Sequence, residues 1–252
     1  MKIDLTGKNI LVTGASRGIG RALALGLAQS GATVAIHYNR NRAAAQSLAN
    51  EIEGNTIIIQ ADLSNPSEVQ RLFESVIQQF GQLDVLVNNA GVAFSSALEA
   101  STEQWLQDLQ QTLNVNLIAS ALLCKLAIPH FIKNKGGIII NISSRAAFRG
   151  DTADYMAYAA SKGGLVALTR SIARAYGKQN IKAFDIAPGF TKTDMAQDFI
   201  DLYGEDYVKD DIALNELTEP KHIAPLVVLL ASGLADHLTG TTIDVNAGSY
   251  VH

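Results

Sequence analysis

What the sequence has least of narrows it first. Its 252 residues hold a single cysteine, Cys124. That excludes an internal disulfide and any cysteine-based metal cluster, so no metal is expected, and it suits a reducing compartment. Charge of one sign is scarce too. Twenty-four acidic residues against 20 basic leave a formal net charge of −4, with no basic stripe for nucleic acid or an anionic membrane. Long hydrophobic runs are missing: Ile10–Val12 stops at Thr13, and Leu226–Ala231 falls far short of the ~20 residues that span a bilayer. The expectation is a cytoplasmic protein with no leader segment and no membrane or nucleic-acid partner. There is no Gly/Ser/Pro linker, low-complexity segment or repeat. With 48% apolar and 17% charged residues, the chain can bury a sizeable core and is not disordered.

What is present is a rhythm. Short apolar runs at Ile10–Thr13, Thr33–Tyr38, Thr56–Gln60, Leu83–Val87, Ile138–Ile142, Ile181–Ala187 and Thr241–Val245 read as strands. Between them, Ile19–Gln29, Arg42–Glu53, a stretch from Pro66 to Gly81, Thr102–Leu113, Asn116–Phe131, Asp154–Tyr176 and Pro220–Ala231 carry helical spacing. Strand and helix in alternation predict an α/β fold, a parallel, doubly wound sheet with helices on both faces, as one domain over residues 1–252. Residues 191–216 are polar and acidic and read as an insertion of loops and short helices over the substrate.

The turn after the first strand reads Thr13-Gly14-Ala15-Ser16-Arg17-Gly18-Ile19-Gly20. Glycines there allow a tight turn and let a phosphate approach the helix start. No Lys-Ser or Lys-Thr follows, so hydrolysis of ATP or GTP is not expected. Strand two ends in His37-Tyr38-Asn39-Arg40, with no acid to hold a ribose 2′-hydroxyl. That absence, with Arg17 and Arg40 to meet a 2′-phosphate, points to NADP(H) rather than NAD. Asp62-Leu63 closes strand three, where Asp62 either accepts from an adenine amino group or caps the next helix. Asn88-Asn89-Ala90-Gly91 closes strand four, small enough for a backbone passing close to a flat cofactor.

Tyr158 and Lys162 stand at i and i+4 on the long helix and share a face. An ammonium beside a phenol lowers its pKa from about 10, toward a proton donor for a developing alkoxide. A boundary tyrosine with a solvated lysine gives the same spacing. Asn141-Ile142-Ser143-Ser144 just upstream adds hydroxyls at a strand's carboxyl end, where open α/β sheets bind ligands.

These residues together resemble the short-chain dehydrogenase/reductase family, within it the 3-oxoacyl-carrier-protein reductase-like members, over essentially the whole chain. The likeness rests on Thr13-Gly14-x-x-x-Gly18-Ile19-Gly20, Asp62-Leu63, Asn88 to Gly91, Asn116, Ser143-Ser144, Tyr158-x-x-x-Lys162 and Pro188-Gly189. The resemblance implies a seven-stranded Rossmann-type sheet and a catalytic tetrad of Asn116, Ser144, Tyr158 and Lys162. Tyr158 would be the general acid or base, and Lys162 would bind the nicotinamide ribose and depress the phenol. Ser144 would orient the carbonyl, and Asn116 would hold a water that relays protons to Lys162. Gly14, Ser16, Arg17, Gly18, Ile19, Gly20, Tyr38, Asn39, Arg40, Asp62, Leu63, Asn89, Ala90, Gly91, Pro188, Gly189, Thr191 and Thr193 would hold the dinucleotide. Ser143 and Asn114 compete with their neighbours; the Ser144-to-Tyr158 spacing and the run Val115-Asn116-Leu117 favour Ser144 and Asn116.

The implied activity is hydride transfer between NADP(H) and a small carbonyl or secondary alcohol, with a 3-oxoacyl thioester as one substrate. A sugar, polyol or other small ketone is the alternative, and a dinucleotide-binding sensor without turnover is the reading of another class. Phe94, Ala147, Phe148 and Arg149 would shape the substrate space. An acyl carrier protein as partner would need a basic rim, for which Lys133, Lys135, Arg170, Arg174 and Lys178 are the candidates. Small residues on the helices from Asn116 and Tyr158 suit a homodimer or homotetramer.

Overall fold

The computed structural model describes residues 3–52, 54, 56–193 and 211–251. Seven strands are β1 (Asn9–Val12), β2 (Thr33–Tyr38), β3 (Thr56–Gln60), β4 (Val85–Asn88), β5 (Gly137–Ile142), β6 (Ile181–Pro188) and β7 (Thr242–Val245). They form one parallel sheet in the order β3-β2-β1-β4-β5-β6-β7. The helices are α1 (Gly18–Gln29), α2 (Arg42–Glu51), α3 (Pro66–Phe80), α4 (Thr102–Leu113), α5 (Ala119–Lys133), α6 (Ala146–Arg149), α7 (Met156–Tyr176) and α8 (Pro220–Ala231). This is the doubly wound architecture that the alternation predicts.

Strand residues point alternately to two faces. Ile10, Val12, Val85, Val87 and Ile140 join α1, α2 and α8 in one core. Leu11, Leu86 and Ile139 join α3, α5 and α7 in the other. Each fully buried Leu or Ile contributes roughly 1.5–3 kcal/mol relative to exposure. The order reverses between β1 and β4, so the crossovers leave in opposite directions and a crevice opens at the carboxyl ends there.

Two departures from the sequence reading bear on that crevice. The helices expected at Thr102 and Asn116 are one continuous 32-residue run, joined by a π turn over Asn114–Ile118. An 18-residue window of this run, with a mean hydropathy of 1.7, is long and apolar enough to cross a membrane, which no apolar stretch of the bare sequence suggests. Here it packs against α3 and α7, with Leu106, Ile118 and Ile132 left exposed. The short helix α6 was not expected; just before it, Ser144 Oγ accepts from Ala146 N at 3.1 Å. Of the insertion expected at 191–216, residues 194–210 lie outside the described residues. Its start is tied down by a bridge from Thr191 to Thr218.

Candidate active site

At the ends of β1 and β2, backbone and small side chains interlock. Gly14 has φ +63°, and a Cβ on it would stand 2.9 Å from Ala90 Cα. A Cβ on Gly20 would lie 2.3 Å from Gly14 O and 2.4 Å from Asn89 Nδ2. Both positions require glycine, and both bring β1's turn against the end of β4. The Thr13 hydroxyl accepts from the amides of Asn89 and Ala90 at 2.9 and 3.0 Å. Asn89 Nδ2 donates back to Thr13 O and Gly14 O. His37 braces the turn from β2: its Nδ1 accepts from Gly14 N at 3.0 Å, so Nε2 carries the proton and donates to Ala61 O at 3.0 Å. Burial pushes this imidazole down to about 4, which keeps it neutral.

The start of α1 has no side-chain cap. Its backbone N–H groups face the glycine turn, the arrangement that receives a phosphate. Thr193, beyond β6, comes within 3.3 Å of where a Gly18 Cβ would be, closing the turn from the other side. Arg17, Asn39 and Arg40 are exposed at this end. These residues fit a dinucleotide. Tyr38, expected among the contacts, ends β2 and packs in the core cluster. Asp62 Oδ1 accepts from the backbone and hydroxyl of Ser64, while Asn65 caps α3. Leu63 is buried in the α3 face. Pro188 ends β6, and a Cβ on the following Gly189 would meet Asn246 at 2.6 Å. The hydroxyls of Thr191 and Thr193 bond locally, to Gly189 O and Thr191 O.

At the ends of β4, β5 and β6 the structure brings Asn116, Ser144, Tyr158 and Lys162 together. Asn116 sits in the π turn, an extra residue in the helix of the kind often found at functional sites. Its Oδ1 accepts from Val92 N at 2.8 Å, and its Nδ2 donates to Val92 O and Ser161 Oγ, both at 2.9 Å. Asn114, its competitor, bonds Gln110 on the exposed side. A Cβ on Gly91 would stand 3.4 Å from both Asn116 Oδ1 and Lys162 Nζ, so glycine lets the two approach one point. Lys162 is buried, and its Nζ donates to Ile142 O at 2.8 Å. The two serines diverge: Ser144 interacts with the Tyr158 hydroxyl, while Ser143 Oγ donates to Asp185 Oδ2 at 2.7 Å.

The electrostatics correct one expectation. The Tyr158 pKa is raised, not lowered; burial is the main cause, and Ser144 opposes it. Lys162 lies 5.6 Å from the centroid of the phenol ring, reaching the ring rather than the hydroxyl. The lysine is itself pushed down to about 8 by burial, against the pull of Asp185. The i, i+4 spacing fixes the shared face but not where the ammonium ends.

A second correction concerns the basic rim. Lys133 and Lys135 precede β5 and Lys178 precedes β6, at the sheet edge opposite Tyr158. Arg170 and Arg174 lie 12 and 16 residues along from Tyr158, roughly 18 and 24 Å of helix away. Next to Ser144 stand Arg145 and Arg149, and both pair with Asp211 at 2.6 and 2.7 Å. Phe148 stacks on Tyr250 at 6.4 Å. Sequence reasoning missed His37, Ser161 and Asp185. For His37 and Asp185 the visible signal was an ionisable side chain inside an apolar strand; Ser161, on α7, gave none. Among the described residues no group of three or more His, Cys, Asp or Glu is placed to hold a metal ion.

A glycine turn at an open helix start and a Tyr–Ser–Lys–Asn cluster, set side by side on one sheet edge, define a dinucleotide-linked oxidoreductase. Comparison with known proteins agrees. A family profile described as enoyl-(acyl carrier protein) reductase matches residues 14–250. The 3-oxoacyl-(acyl-carrier-protein) reductase FabG of Staphylococcus aureus is 37% identical over 97% of this chain and 98% of its own. A short-chain dehydrogenase of Burkholderia cenocepacia, solved with NADP, is 36% identical with a TM-score of 0.90, covering 97% of this chain and 98% of that one. A 3-ketoacyl-(acyl-carrier-protein) reductase of Brucella melitensis, solved with NADH, is 28% identical with a TM-score of 0.89, covering 98% and 100%. The chain belongs to the short-chain dehydrogenase/reductase family, among its 3-oxoacyl-(acyl-carrier-protein) reductase-like members.

Proposed function

We propose that this protein reduces a carbonyl to a secondary alcohol with NADPH, and that a 3-oxoacyl thioester is its substrate. The observation that carries the chemistry is the Tyr158 phenol beside Ser144, held protonated by burial and backed by the buried Lys162. NADP(H), when bound, supplies or accepts the hydride. The glycine turn, Asn89 to Gly91, and Thr191 and Thr193 hold it, and Arg17 and Arg40 favour the 2′-phosphate where no acid opposes it. Tyr158 gives its proton to the substrate oxygen as charge develops there, the work of a general acid. Ser144 donates a hydrogen bond to the same oxygen. Lys162 places a positive charge under the phenol ring, and Asn116, fixed by Val92 and Ser161, keeps the space beside that lysine polar.

The thioester rests on the names of the relatives. A small polar ketone or polyol is the second reading, favoured by Arg145 and Arg149 near the site, whose charges are taken up by Asp211 rather than offered to an acidic carrier protein. The working form is a cytoplasmic homodimer or homotetramer in which copies cover the exposed Leu106, Ile118 and Ile132. The test is turnover of acetoacetyl thioester, β-keto ester and keto sugar with NADPH and NADH, in the natural protein and in Tyr158→Phe. The expected result is a preference for the thioester and NADPH. The variant should lose about 10³-fold in kcat with cofactor affinity within about threefold. Full turnover in the variant rejects the Tyr158 role; preference for the sugar rejects the thioester alone.

A further inference from the structure

One buried ionisable group near the site has no part in the chemistry above. Asp185, on β6, is wholly buried, on the face that meets α7. Its register neighbour on β5 is Asn141. Its Oδ2 accepts from Ser143 Oγ at 2.7 Å, and the Thr242 hydroxyl stands against the same carboxylate. A carboxylate so placed is costly unless something compensates its charge. The hydroxyls of Ser143 on β5 and Thr242 on β7 supply the larger part of the compensation, and charges on α7 add to it. Lys162 is buried on the same side of the sheet, and its ammonium bonds the carbonyl of Ile142, the residue before Ser143. The acceptor that holds the ammonium and the donor that holds the carboxylate are therefore adjacent in the chain.

The surroundings of both charges are few. Asp185 faces Ser143 from β5, Thr242 and Asp244 on its own side of β7, and Lys162 and Arg170 from α7. Lys162 faces the Tyr158 ring on its own helix, Asn116 from the π turn and Asp185 from β6. Burial drives the lysine to shed its proton, and the Asp185 carboxylate opposes that.

We propose that Asp185 is a positioning residue for this reaction: its carboxylate, tied in place by Ser143, holds the Lys162 ammonium in its charged form. The proposal rests on the reading of Tyr158 and Lys162 given above. Ser143 is thereby committed to Asp185, which leaves Ser144 as the serine for the substrate oxygen. A merely structural aspartate would fill the sheet and leave the pH behaviour of turnover alone.

The test is the pH profile of NADPH-dependent carbonyl reduction in the natural protein, Asp185→Asn and Lys162→Met. The asparagine keeps the shape and can still accept from Ser143. Without the opposite charge the lysine deprotonates earlier, so the alkaline limb of the kcat profile should move down by about one pH unit. At pH 8, kcat should fall several-fold while KM for the carbonyl substrate stays within about twofold. A limb that does not move, with only the melting temperature altered, overturns the proposal. If Asp185→Asn does not fold, Asp185→Ser, neutral and smaller, is read by the same criterion. Lys162→Met separates the two levels: full turnover there rejects the functional reading, whereas lost turnover there with an unmoved limb in Asp185→Asn rejects the role of Asp185 alone.

Discussion

At the ends of β1 and β2 the contacts join a neutral imidazole, a threonine hydroxyl, a side-chain amide and backbone. At the ends of β5 and β6, on the same sheet edge, a lysine and an aspartate are buried instead. The first region is held by shape. Its glycines leave no room for a methyl group, and its histidine works only while uncharged. The second is held by charge, and its side chains have neighbours that neutral residues of similar size could replace. One edge thus presents a rigid cradle beside an electrostatically tuned pair, and each should fail under a different perturbation.

The sharpest contrast lies within the charged region, between its adjacent serines. Ser144→Ala should lower kcat by about 10²-fold or more, because it removes a donor to the developing oxyanion. Ser143→Ala, which faces Asp185, should cost only a few-fold; steady-state kinetics on both variants checks the order, and equal losses would erase the division. In the cradle, the next largest effect should be steric. Gly20→Ala forces a methyl group against Gly14 O and Asn89 Nδ2 and should destabilise by about 3 kcal/mol, read by urea melts. An alanine tolerated there would show the turn to be pliable.

The smallest effect sharpens the role of His37. Its folded pKa, about 4, lies below the ordinary 6.5. Its contribution is therefore complete above pH 6.5 and is lost as pH falls toward 4, up to about 3 kcal/mol in all. His37→Asn lacks that dependence. The stability difference between the natural protein and this variant should therefore shrink from pH 7 to pH 4 in urea melts at each pH. A constant difference would mean that the imidazole is not locked neutral.

Much of this was legible in the residues. Strands β2 and β3 and helix α8 begin and end where the apolar runs do. Gly31 and Asn65-Pro66 punctuate the chain, and strand periodicity is strong where both faces are buried. The π turn was not legible, because an extra residue in a helix leaves no signature of composition; only the long stretch before Asn116 hints at it. Tyr158 and Lys162 were visible as a pair, but the acceptor of the ammonium, Ile142 O, lies 20 residues away in sequence. Asp185 was invisible as a participant for the same reason. Its partners come from β5, β7 and α7, and only the folded sheet assembles them.

The π turn reaches further than the amide it carries. One additional residue rotates everything after it by about 100° around the helix axis. The side chains of Ala119 to Lys133 therefore point where an uninterrupted helix would not send them, and Leu123, Cys124, Ala127 and Phe131 meet the sheet. Turning Asn116 inward and choosing the wall of the core behind α3 are a single phase decision. A lineage that lost that residue would have to rebuild its hydrophobic interior as well as the seat of Asn116.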